Sequence, residues 1–159
     1  MTEELVQDNS ADNYGIYDMT GEFTNKVKNN PLDKDYNAEL KKLNESKDFS
    51  TLAMAELESK YTKLWDSELN AIYKKLLAKL NPKEKEGLIA SQKGWLQYHM
   101  KESEFISQVF YLRESGQILG SQGRVQIQQA IKGRLRGRTL ELLAYYVLLG
   151  NDIEFEYKE

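Results

Sequence analysis

The sequence predicts an all-α fold: an antiparallel bundle of three long helices, with a short N-terminal helix and extended acidic ends. Three observations carry this. Apolar residues recur every three or four positions along three long stretches, the spacing that gathers them on one helical face. Asn81-Pro82 and the glycines at 116, 120 and 123 break those stretches apart. Strand-like alternation is confined to Ile153, Phe155 and Tyr157, and one short strand has nothing to pair with.

The elements follow in order. Residues 1–30 read as an acidic, flexible tether, rich in Asn and Asp and without a sustained period. Tyr14, Ile16, Tyr17 and Phe23 are able to dock on the body as a strap, so disorder at the start is expected to give way to partial ordering near these residues. Pro31-Leu32-Asp33 opens a short helix to about Lys47, with Tyr36, Leu40 and Leu43 on one side. The first long helix starts near Ser50 or Thr51 and ends at Leu80; Leu57, Tyr61, Leu64, Leu69, Ile72, Tyr73 and Leu76 form its stripe. Pro82 disfavours helical geometry at Asn81 and suits the first position of a new helix. Asn81 with Glu84 then has the spacing of a capping box. The second long helix runs from Pro82 to about Glu114, with Leu88, Gln92, Trp95, Tyr98, Glu102, Phe105 and Val109 in helical register. A glycine-rich loop follows, and Ser121 is placed to cap the third helix. Val125, Ile127, Ile131, Leu135, Leu142, Tyr145 and Leu149 mark its face, and Gly150-Asn151 stops it. The helical domain is therefore expected over 31–151, with Leu69, Ile72, Leu76, Trp95, Phe105, Ile131, Leu135 and Leu142 in a core shared by the three long helices, and an extended acidic tail over 152–159.

A chain of 159 residues with 40% hydrophobic and 30% charged residues suits one domain around one core. Cysteine is absent, which excludes disulfides and thiolate metal sites. His99 is the sole histidine and no H-E-x-x-H pattern occurs, so neither a metal nor a cofactor is expected. No stretch is long and apolar enough to cross a bilayer. No leader is expected within this chain, which leaves open a native precursor with a leader and a lipid anchor. The net charge of −3 is unevenly spread: residues 1–22 carry six acids and no Lys or Arg, and residues 152–159 carry four acids against Lys158. The body between them is basic, so the ends either complement it or leave it to attract a charged partner.

No catalytic constellation emerges. No two acids are marked to face each other across a cleft as a glycosidase requires, and no serine stands in a nucleophile-elbow context for His99. Glu68, Gln92 and Arg138 are polar residues on apolar faces. Buried charge is costly unless paired, so a structural network joining them to Asn70 and Trp95 is expected. The same groups would alternatively line a binding pocket. The run Lys132-Gly-Arg134-Leu-Arg136-Gly-Arg138 divides over two helix faces, Lys132 with Arg136 and Arg134 with Arg138. It lacks interleaved aromatics, so no nucleic-acid partner is expected. Surface cations, with Arg138 facing inward, are the expectation. Trp65 and Trp95 read as core anchors ahead of a ligand-stacking pair.

Asp66-Ser-Glu68-Leu69-Asn70 with Tyr73 and Leu76, followed by Leu88, Gln92, Trp95 and Tyr98, resembles the LprI-type lysozyme-inhibitor family of bacterial envelope proteins. That family reads D-x-E-L-N-x-x-Y-x-x-L, a short gap, then Q-x-x-W-x-x-[FY]-R-D and a cysteine. Gly120-Ser121 and Arg138-Thr139-Leu140-Glu141-Leu142 are similar to its GS turn and closing helix, and the likeness covers about residues 60–149. His99 and Met100 stand where the family has Arg and Asp; Ser103 and approximately Ile131 stand where it has cysteines. The resemblance implies a non-enzymatic protein outside the cytoplasmic membrane, secreted or lipid-anchored, acting by protein binding, with lysozyme as the partner. The alternative is a helical adaptor or scaffold that binds another envelope protein or a cell-wall fragment. The segment able to enter a lysozyme cleft is the loop at Gly116, Gln117, Gly120, Ser121 and Gln122, with Arg113 and Arg124 at its shoulders to meet the cleft's carboxylates. Otherwise it is a plain connection between helices.

Overall fold

The computed structural model describes Met19 and residues 21–159, and among them every regular element is a helix. The expected tether therefore falls outside the described residues up to Asp18, as does any docking of Tyr14, Ile16 or Tyr17. Its last part is helical. Helix α1, Gly21–Lys28, buries Phe23 and Val27, so the packed body begins well before the boundary expected at residue 30. The signal was thin: two apolar residues one turn apart in a polar stretch.

Four helices follow. Helix α2, Pro31–Glu45, is joined to α1 through buried Asn30, whose Oδ1 accepts from the Asp33 N–H at 2.8 Å. Its Nδ2 donates to Val27 O at 2.7 Å, so one side chain ends α1 and caps α2. Helix α3, Thr51–Ala78, is capped by Ser50. Helix α4, Pro82–Ile106, opens on the expected capping box: Asn81 accepts from the Glu84 N–H at 2.9 Å and Glu84 accepts from the Asn81 N–H at 2.8 Å. It passes into one π-helical turn, Ser107–Tyr111, and stops there, short of the expected Glu114. Helix α5, Ser121–Leu148, takes Gly120 as its cap position, with no side-chain bond; Ser121 is its first helical residue and not its cap. Gly150, at φ +93°, ends it in the left-handed region.

The arrangement departs from an evenly shared three-helix core. Helices α3 and α5 lie side by side and run in the same direction, since Thr51 meets Gln122, Glu58 meets Lys132, and Trp65 meets Arg136. Helix α4 returns against α5: Arg138 reaches Ser91 and Gln92, while Arg134 reaches His99 and Ser103. Helix α2 folds back on α3, with Glu39 on Lys60 and Tyr61. Trp65, Leu69, Ile72 and Leu76 of α3 pack with Leu135, Leu140, Leu142, Leu143 and Ala144 of α5. Phe23, Val27, Leu32 and Phe155 close that core from α1, α2 and the tail.

Helix α4 contributes little to this core. Its one buried residue is Gln92; Leu88 and Trp95 are half-buried, and Phe105, expected inside, is 52% exposed. The cause is chemical: the side of α4 turned to the body carries Gln92, His99 and Ser103, which need polar partners rather than leucines. The extended tail is bound. Glu68 of α3 accepts from the N–H groups of Glu156 and Tyr157 at 2.6 and 3.1 Å, and Tyr157 donates to Asp35 of α2 at 2.6 Å.

Candidate functional site

The expected polar network exists in part. Arg138 is buried and donates to Gln92 Oε1 at 2.9 Å, to Ser91 Oγ at 3.1 Å and to Glu141. One turn away Arg134 donates to His99 Nδ1 at 3.1 Å and to Ser103 Oγ at 2.7 Å, and the His99 ring stacks on Trp95 at 5.0 Å. This seam joins α4 to α5. Glu68 is bound elsewhere: it holds the tail, and the Glu68–Arg138 pair expected from the sequence is replaced by Arg138–Glu141. Asn70 is exposed, outside the network. Burial raises the Glu68 carboxyl above its usual range, and the two backbone N–H groups only partly offset this.

A second polar cluster escaped the sequence reading. Glu58 is wholly buried; Tyr36 donates to its Oε2, and Lys132 Nζ lies 2.7 Å from Oε1, in charge contact though off the line of a well-aligned hydrogen bond. The Lys132 ammonium sits 3.4 Å from the centre of the Tyr36 ring. Lys132 and Arg136, expected at the surface, are thus tied inward or across: Arg136 forms a bidentate pair with Asp33 and lies over Trp65. The missed signal was position. Glu58 precedes Trp65 by seven residues, and Lys132 precedes Thr139 by seven, each on a buried face. Both clusters satisfy packing, and among the described residues no group of His, Asp and Glu stands where it would hold a metal.

Exposed apolar residues occur along α4 (Ile89, Leu96, Tyr98 and Met100), at the C-terminal end of α5 (Leu148 and Leu149) and, as a group of five, at the loop end of the helices. Phe49 and Leu52 at the start of α3, Phe105 late in α4, and Leu112 and Ile118 in the loop 112–120 are 48 to 69% exposed. They are at one end of the helices: Thr51 touches Gln122, Tyr111 touches Arg124, and Phe105 meets Phe110 edge-on at 6.2 Å. A cleft of about 460 Å³ opens beside them between α3, the π-turn and α5, with Glu56, Tyr111, Arg124 and Ile127 in its wall. Exposed apolar residues gathered in one place signal an interaction surface where scattered ones do not. Of the loop residues singled out from sequence, Arg113, Gly116, Gln117, Gly120 and Gln122 are exposed. Arg124 is exposed but engaged, donating to the Tyr111 hydroxyl at 2.6 Å.

The buried polar groups are thus used in the packing of the helical body, and five of its exposed apolar residues lie together at the loop end. The chain belongs to the LprI family: the family model described as "Lysozyme inhibitor LprI" matches residues 42–142, from the end of α2 to late α5. No curated protein and no solved structure matches the chain significantly. Among the described residues, no helix is long and apolar enough to cross a membrane.

Proposed function

We propose that this protein binds a lysozyme and inhibits it, acting outside the cytoplasmic membrane in the cell envelope, and that the loop end of the bundle is its binding surface. Membership in a family described as lysozyme inhibitors carries this reading. The exposed Phe49, Leu52, Leu112 and Ile118 support the choice of surface. Leu112 and Ile118 offer apolar anchors on a connecting segment, and Arg113 beside them meets the carboxylates of a lysozyme cleft. Arg124, held by Tyr111, supports the segment instead of reaching out. The inhibitory role needs no catalytic group. The assay is lysis of bacterial cell walls by a lysozyme with and without the protein. Inhibition is expected, and Leu112→Ser with Ile118→Ser should abolish it while leaving helicity unchanged, since exposed substitutions rarely perturb a fold. Full inhibition by that variant would remove the loop from the reading; no inhibition by the unaltered protein would remove lysozyme.

A second reading has one observation in its favour. Ile89, Leu96 and Met100 form an exposed stripe on one flank of α4. An adaptor that receives another envelope protein along α4 would use it. Capture of that protein would then be lost in Leu96→Ser and kept in the loop variant.

A further inference from the structure

We propose that Gly123 is a positioning residue for partner binding: it lets Leu119 lie against the first turn of α5 and so presets the bearing of the loop 112–120. The inference rests on the reading of this end as the lysozyme-binding surface. A Cβ at position 123 would stand 2.4 Å from Leu119 Cβ, an atom fixed by its own backbone rather than a movable side-chain tip. Gly123 has no positive φ that would require glycine, and it sits inside a helix, where glycine is disfavoured. Space for Leu119 is what it provides. The helical glycines Gly87, Gly94, Gly133 and Gly137 meet nothing within 4 Å, so none of them has such a task.

The surrounding bonds show what the contact fixes. The Leu119 N–H donates to Phe110 O at 3.0 Å, which draws the two ends of the loop together. The π-turn makes that carbonyl available, because Leu112 N–H turns back to Ser107 O at 2.8 Å and the helix goes no further. Arg124 holds Tyr111 from the α5 side, and Gly123 N–H donates to Gly120 O at 2.7 Å. Leu112 and Ile118, the exposed apolar pair, lie just inside the two tied ends. A loop closed at its base before contact loses less freedom on binding than an open one, and that difference appears as affinity.

The experiment compares Gly123→Ala with Gly133→Ala, reading amide exchange at Leu119 and affinity for a lysozyme on the full chain. Gly123→Ala should retain helicity, lose protection at the Leu119 amide and bind about tenfold or more weakly. Gly133→Ala should match the parent in both. If Gly123→Ala fails to fold, Leu119→Gly opens the same contact without a clash and should give the same two losses. Unchanged exchange at Leu119 overturns the clasp. Lost protection with unchanged affinity overturns its part in recognition. An unaltered protein that binds no lysozyme defeats the lysozyme reading and the recognition role with it, and the exchange data still decide the clasp.

Discussion

Arg138 and Glu68 both lie within the segment that matches the family yet serve different neighbours, and that separates what their replacement should do. Arg138 is held by Gln92, Ser91 and Glu141; Glu68 is held by two backbone N–H groups of the tail. Arg138→Met and Gln92→Leu should therefore couple by about 0.5–3 kcal/mol in a double-mutant cycle, whereas Arg138→Met and Glu68→Gln should add within about 0.5 kcal/mol. Chemical denaturation of the three single and two double variants measures both. His99 gives a pH prediction. Its Nδ1 accepts from Arg134, which requires a neutral ring; burial first and the Arg134 charge second depress its pKa below the ordinary 6.5, against a smaller opposing pull from Asp66. The unfolded chain then takes up the proton first. Stability from His99 is present above about pH 6.5 and is lost as pH falls through the lower folded value. Melting temperature should drop more steeply from pH 7 to 5 in the parent than in His99→Gln; parallel curves would mean the ring is not held neutral. Glu68 has the opposite sign. Its raised pKa gives stability present below the ordinary 4.5 and lost as pH rises through the folded value, so Glu68→Gln should remove that part of the pH dependence.

The elements divide into a packed pair and an outrigger. Leu76 of α3 is 3% exposed, and Leu76→Ala should cost about 2–5 kcal/mol. Phe105 of α4 was expected in the same core, yet Phe105→Ala should shift stability by no more than about 0.5 kcal/mol, because the ring is already half in water. Urea titration distinguishes these outcomes, and equal losses would restore the evenly shared core. The start of α4 was legible to the residue, because Asn81, Pro82 and Glu84 act through neighbours in the chain. The buried stripe of α3 was legible for the same reason. Its pairing with α5 was not: helical period tells which face is buried but not against which helix or in which direction. Nor was the partner of Glu68, since a carboxylate that binds backbone N–H groups leaves no mark on the side chains of the tail. The candidate surface was half legible. Glycines announced a loop, while the clustering of Phe49 and Leu52 beside it depends on how three helix ends meet.

On the scale of the whole molecule the two ends of the chain complete the body. Phe23 and Val27 enter from one side and Phe155 from the other, and Tyr157 ties the tail to α2. Removing residues 152–159 should expose the Phe155 site and leave Glu68 without its N–H partners, with a loss of several kcal/mol expected from the aromatic ring alone, about 3–5 kcal/mol by analogy with buried phenylalanines. A truncated protein that melts with the parent would show that the tail rests on the surface without supporting it.

The parallel pairing of α3 with α5 bears on how the protein is made. A chain emerges from its N-terminus onward, and closing distant segments must be paid for in entropy before contact rewards it. Trp65, Leu69 and Ile72 share their core with the earlier Phe23, Val27 and Leu32, but its larger part, Leu135, Leu140, Leu142 and Leu143, is synthesised long after them, because α4 brings mostly polar groups to that face. Until α5 exists that core lacks its larger apolar part, so the packed body closes only when the chain is nearly complete. The apolar faces of α3 then wait, without most of their partners, for the last helix to be made, and closure of the core is a single late event.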